Sequence, residues 1–73
     1  MTGKLPSVTA DRLVAILRRR GFEQVRQSGS HLVLRHPDGR RTTVPLHKGR
    51  DLGKGLLHQI MKDTDLVPDD LLC

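Results

Sequence analysis

Residues 28–47 read SGSHLVLRHPDGRRTTVPLH, and the fold follows from how this stretch turns back on itself. Leu32 to Leu34 is an apolar run that stops at His36-Pro37-Asp38-Gly39-Arg40. Proline presets φ for the first turn position, and glycine supplies the positive φ needed to re-enter a strand. A second strand follows through Thr42, Thr43 and Val44, so the stretch is a β-hairpin. The side chains choose its register. A two-residue loop at Asp38-Gly39 sets Leu34 opposite Thr43 and Leu32 opposite Pro45. A three-residue loop, Pro37-Asp38-Gly39, sets Leu34 opposite Thr42 and Leu32 opposite Val44. Directly opposed residues share a face, so only the second register gathers Leu32, Leu34, Val44 and Leu46 on one buried side. A type I turn closed by a glycine bulge has that loop length. The other face then carries His31, Val33, Arg35, Arg41, Thr43 and Pro45.

Outward from the hairpin, the N-terminal side supplies a helix and a third strand. Residues 1–8 read as a short flexible lead, and residues 9–73 as one domain. Thr9 is an N-cap and Asp11 suits the positive end of a helix dipole. Ala10, Leu13, Ile16 and Leu17 form the buried stripe of about three helical turns. Gly21 falls where a helix needs a left-handed residue, with Phe22 packing back on the helix. The run Arg18-Arg19-Arg20 reads equally as compensation of the helix C-terminus or as a phosphate contact. Residues 23–27 form the first strand of a meander with strands 30–36 and 41–46. A two-residue turn at Ser28-Gly29 sets Val25 opposite Leu32, on the buried face, and Arg26 opposite His31, on the open one. Glu23 then falls on the buried side, at the start of the strand.

On the C-terminal side, residues 47–55 form a loop with three glycines and the bases Lys48, Arg50 and Lys54. Such a loop brings backbone N–H groups and cations near a phosphate, or is simply a tight connection. It lacks the spacing of a Walker loop. Leu56, Leu57, Ile60 and Met61 mark a second amphipathic helix beginning near Gly55, and Pro68-Asp69-Asp70 starts a last turn over 68–72. The expected architecture is α+β: an α-β-β-β-α order, with two helices on one face of a three-stranded antiparallel sheet whose other face is wet.

Composition limits the function. The chain has 73 residues, one aromatic side chain, Phe22, and one cysteine, Cys73. An intrachain disulfide is impossible, which points to a reducing, cytoplasmic setting. No apolar run approaches a membrane span and the N-terminus lacks a signal-peptide core, so no membrane role is expected. All 13 Lys and Arg residues but only four acids precede residue 63, a balance of +9; the last eleven residues hold four aspartates and no base, −4. A basic body suggests a polyanion partner. With a single aromatic, a base-stacking sheet of the kind many single-strand binders use is not expected.

Of the four histidines, no pair has the spacing of a metal site and no cysteine completes one, so neither metal nor cofactor is expected. His36 abuts the turn and is expected to face solvent, and His58 lies opposite the apolar stripe of its helix. His31 stands just after a turn, on the open face, beside Arg26 and near Arg35. Imidazole titrates near neutrality, so it exchanges protons in phosphodiester chemistry, and arginines hold phosphate and stabilise charge building on it. A surface histidine with no chemical role is the plainer reading of the same residue.

Gly21-Phe22, Gly29-Ser30-His31, Arg35-His36-Pro37-Asp38-Gly39-Arg40 and Thr43-Val44-Pro45-Leu46-His47, in this order and spacing, resemble the HicA family of toxins, also called YcfA-like proteins. The resemblance extends over about residues 5–66. It implies a double-stranded-RNA-binding-domain-like fold and a ribosome-independent mRNA endonuclease (an mRNA interferase) of a toxin–antitoxin pair, blocked by a HicB-like antitoxin. The catalytic histidine of the family's Gly-Ser-His motif falls on His31, with Gly29 and Ser30 completing the motif. The chain departs from the family at Leu32 and Leu34, and in lacking the common small-residue–glycine ending of the last helix. The resulting expectation is an RNA-cleaving site with His31 as base or acid and Arg26, Arg35, Arg41, Lys48, Arg50 and Lys54 as RNA contacts. The alternative is a non-catalytic RNA-binding module of the same fold.

Overall fold

The computed structural model describes residues 7–46 and 50–72. Its elements run α1 (Ala10–Arg19), β1 (Glu23–Ser28), β2 (His31–Arg35), β3 (Arg41–Pro45), α2 (Lys54–Thr64) and a 3₁₀ turn over Pro68–Leu72. This is the α-β-β-β-α order expected, with the three strands antiparallel in the order β1-β2-β3.

Local chemistry accounts for the first helix. The Thr9 side chain accepts from the Arg12 N–H, and Asp11 sits in the first turn. At the other end Gly21 takes φ +96°, and the N–H groups of Gly21 and Phe22 donate to the carbonyls of Arg18 and Leu17. That pair of bonds is a Schellman motif, which satisfies carbonyls the helix leaves open. In α2, Asp65 takes the left-handed position (φ 59°) that a glycine would fill.

The β2–β3 hairpin has the expected register: Leu32 opposes Val44 and Leu34 opposes Thr42. The Gly39 N–H donates to the His36 carbonyl and Gly39 takes φ +103°, so the loop is Pro37-Asp38-Gly39. Leu32, Leu34 and Val44 are buried against Leu13, Leu17, Phe22, Leu57 and Ile60, with Leu46 packed at the margin. Each fully buried side chain of this size contributes about 1.5–3 kcal/mol. Thr42 is buried too, and its hydroxyl donates to Asp63, tying β3 to α2.

The β1–β2 pairing departs from expectation. The two-residue turn is Gly29-Ser30, closed by Ser28 opposite His31, and Arg26 opposes Val33 instead of His31. The register then shifts between Gln24 and Arg26, where a bulge lets Gln24 oppose Leu34 and Glu23 oppose Arg35. Val25 is the extra residue. It is not buried opposite Leu32; it is 53% exposed and lies beside Glu23, Arg35, His36 and Pro37. The same shift moves Glu23 to the open face. A bulge inserts one residue and redirects the side chains beyond it, which is how a strand with a single apolar residue avoids burying a carboxylate. All six residues of β1 are exposed.

Two smaller differences concern the ends of the core. Val8, expected in the flexible lead, is buried, and its carbonyl accepts from the Leu52 N–H. Helix α2 buries Leu57, Ile60, Met61 and Thr64, whereas Leu56 is exposed. No helix of the described residues is long and apolar enough to cross a membrane.

Candidate active site

The open face of the sheet is a grid fixed by register. Its first row is Ser28, His31 and Pro45; the second is Arg26, Val33 and Thr43; the third is Glu23, Arg35 and Arg41. His31 is exposed and lies on the side of the sheet away from the helices. Its direct cross-strand neighbours are Ser28 and Pro45, and Arg26 is diagonal to it, about 7–8 Å away between backbones. Arg35 is not beside His31. They are four residue steps apart along the strand, roughly 13 Å. Arg35 and Arg41 directly oppose each other at the far end of the face, with Glu23 next to Arg35.

The turn that presents His31 is built for a sharp reversal. Gly29 takes φ +59°, the left-handed conformation that a two-residue hairpin turn requires at its first loop position. The Gln27 amide donates to the Gly29 carbonyl at 3.2 Å. The Ser30 carbonyl accepts from the Leu46 N–H, anchoring the turn to the end of β3. The connection to α2 therefore leaves the sheet next to His31. It returns to the start of α1, where Asp51 bridges Thr9. Arg50 and Lys54 are exposed on this connection, Lys54 as the first residue of α2. Lys48 lies outside the described residues.

His36 is not the solvent-facing residue expected. Its ring meets Phe22 edge-on at 5.1 Å, and its side chain is 22% exposed. Nδ1 accepts from the Asp38 N–H at 3.1 Å, so Nε2 carries the proton and donates to the Arg20 carbonyl at 3.1 Å. Nδ1 also lies 3.0 Å from an Asp38 carboxylate oxygen. That contact becomes an ion pair when the ring is protonated, the form in which His36 adds to the lowering of the Asp38 pKa. Arg40 completes this corner. It lies over the Phe22 ring at 5.2 Å, bonds the Asp38 carboxylate at 2.8 Å and donates to the Thr64 carbonyl. The Arg40 backbone N–H on the Asp38 carboxylate is the main reason its pKa lies below the ordinary 3.8; the Arg40 guanidinium and His36 act in the same direction, and lost hydration acts against them. His36 and Arg40 are therefore braces, while His31 is free to meet a ligand. Among the described residues, no three His, Cys, Asp or Glu side chains gather where they could hold a metal ion.

With this geometry in place, comparison with known families is decisive on one point. A family model described as "HicA toxin of bacterial toxin-antitoxin" matches residues 10–66 of the 73. The chain belongs to the HicA toxin family. No curated protein matches it. The family match spans every element from α1 through the end of α2, so this HicA chain carries the toxin role within the same fold that sets His31 on the open face. Ser28, the residue directly opposite His31, was not legible in the sequence because its position depends on which two residues make the turn.

Proposed function

We propose that this HicA-family toxin is a metal-independent endoribonuclease that cleaves mRNA, inhibits translation in the cytoplasm and is restrained by a HicB-like antitoxin protein. One observation supports the chemistry most directly: His31 is exposed on the open sheet face with a guanidinium, Arg26, diagonal to it. In this reading the neutral imidazole of His31 takes the proton of a ribose 2′-hydroxyl. The 2′-oxygen attacks the adjacent phosphorus and the bond to the 5′-oxygen breaks. The leaving 5′-oxygen takes a proton from water, leaving a 2′,3′-cyclic phosphate and a 5′-hydroxyl. Arg26, with Lys48, Arg50 and Lys54 on the neighbouring connection, holds phosphate near the histidine. Arg35 and Arg41 meet the strand further along. Gly29 and Ser30 shape the turn that carries His31.

Purified His31→Ala tests this against end-labelled RNA on a gel. Removing a general base slows such a step by about 10²–10⁴-fold, so the variant is expected to fold normally, bind RNA, cut it at most feebly and fail to arrest growth. Full cleavage by His31→Ala removes His31 from the mechanism. RNA bound but left uncut by the unaltered protein makes the chain a binding module. EDTA is expected to leave cleavage intact; its loss on chelation sinks the 2′-hydroxyl scheme.

A further inference from the structure

The end of the open face away from His31 has a chemistry unlike the rest. A shallow depression of about 200 Å³ is lined there by Glu23, Val25, Arg35, His36 and Pro37. Among the described residues, Glu23 is the one acid on a face that otherwise bears Arg26, Arg35, Arg41 and His31. A carboxylate directly across from Arg35 disfavours a phosphate at that point. It does not disfavour a neutral nucleobase. The walls suit one as well: Val25 is half exposed, Pro37 is exposed, and the His36 ring is held in place by Phe22, the Arg20 carbonyl and the Asp38 N–H. Unpaired bases are read by apolar or aromatic contact with their faces and hydrogen bonds to their edges.

We propose that this depression receives one unpaired guanine of the RNA, read by Glu23 and Arg35. Guanine alone among the bases offers two adjacent donors, N1–H and the 2-amino group, to a carboxylate. On its neighbouring edge it offers two acceptors, O6 and N7, to a guanidinium. Adenine and cytosine present mixed donor and acceptor edges, and leave one partner unmatched. The inference rests on the reading of the open face as the RNA-binding face. It changes the part played by Arg35 from holding phosphate to selecting a base. It also fixes an offset. Roughly 13 Å from His31 is at most about four stacked nucleotides at 3.4 Å each, and fewer in an extended strand.

The test uses the full chain and a short oligouridine carrying a single guanine, or adenine, inosine or 7-deazaguanine in its place. Binding is expected to weaken about tenfold for adenine. Inosine, which lacks the 2-amino group, and 7-deazaguanine, which lacks N7, fall between. In Glu23→Gln and Arg35→Gln the guanine preference is expected to shrink to within about twofold, with the fold verified by circular dichroism. Equal binding of the guanine and adenine oligomers by the unaltered protein overturns the proposal, as does a preference that survives in Glu23→Gln. A second arm maps cut ends on a randomised RNA pool. Cutting with no guanine enrichment at a fixed offset removes the base pocket and leaves the nuclease reading standing. Guanine-selective binding without cutting does the reverse.

Discussion

Gly21 satisfies two constraints at once, and both act against a side chain. Its φ of +96° lies in the region that L residues rarely adopt, and a Cβ built there sits 3.0 Å from Nε2 of His36. Gly21→Ala must therefore strain the backbone and crowd the His36 ring where it bonds the Arg20 carbonyl, with an expected loss of about 1–3 kcal/mol. For a domain of this size that lowers Tm by at least several degrees. Gly29 is the control. Its φ is also positive, at +59°, but nothing lies within 4 Å of its would-be Cβ. Gly29→Ala should lose only the conformational part, about 1–2 kcal/mol, so thermal denaturation of the two variants should rank Gly21→Ala as the worse. Asp38 gives a prediction in pH. Its carboxylate is favoured by folding, because the Arg40 backbone N–H holds its pKa below 3.8. The stabilisation is complete above that ordinary value and is lost as pH falls through the lower, folded one. Asp38→Asn cannot lose it again in acid. The Tm gap between the unaltered protein and Asp38→Asn should therefore close as pH is taken well below 3.8, and a gap that widens there would refute this role.

Arg40 joins three parts of the fold through one side chain: the hairpin loop at Asp38, the residue before β1 at Phe22 and the end of α2 at the Thr64 carbonyl. Arg40→Met keeps contact with the Phe22 ring but deletes the donors, leaving the part-buried Thr64 carbonyl unmatched. A hydrogen bond from a charged group contributes about 1.5–3 kcal/mol; partial exposure places the expected loss in urea denaturation at the lower end. Neither Arg40 nor His36 announces this role in sequence, because both sit beside a turn, where side chains usually face water. The β2–β3 register, by contrast, was readable, since Leu32, Leu34, Val44 and Leu46 come together in only one pairing. The face presented by His31 followed from it. The β1 register was not readable in the same way. EQVRQS holds one apolar residue, and assuming that Val25 points inward fixes the wrong turn, misplaces Arg26 and buries Glu23. The bulge removes that assumption, and Val25→Thr checks it. At a half-exposed position the change should alter stability by less than about 0.5 kcal/mol, whereas a valine packed opposite Leu32 would cost more than that. Helix α2 fails the same letter-counting at Thr64. It is fully buried because its hydroxyl donates to the Ile60 carbonyl at 2.7 Å, which no tally of apolar residues detects.

Across the whole molecule the topology sets helix starts and helix ends at opposite ends of the sheet. Helix α1 delivers the chain to β1 at the Glu23 end, and α2 finishes beside the β2–β3 loop, where Arg40 meets Thr64. Both helices therefore begin at the His31 end, where the basic connection with Arg50 and Lys54 also runs. The tail aspartates gather at the opposite end: Asp63 bonds Thr42, Asp65 closes α2 and Asp70 pairs with Arg20. Helix dipoles add positive potential where helices start, so they add to the basic groups near His31. Phosphate close to His31 is therefore favoured by both helix starts as well as by Arg50 and Lys54. Salt titration of RNA binding distinguishes the two ends. For single-stranded RNA, removing one cation that neutralises a phosphate reduces the slope of log K against log salt by about 0.7. Arg26→Gln should show that reduction together with weaker binding of every RNA sequence. Arg20→Gln removes the same formal charge, but from a guanidinium already paired with Asp70 at the far end. It should leave the slope unchanged while lowering Tm slightly. Equal slopes for the two variants would mean that net charge alone, and not its placement by the fold, draws RNA to the protein.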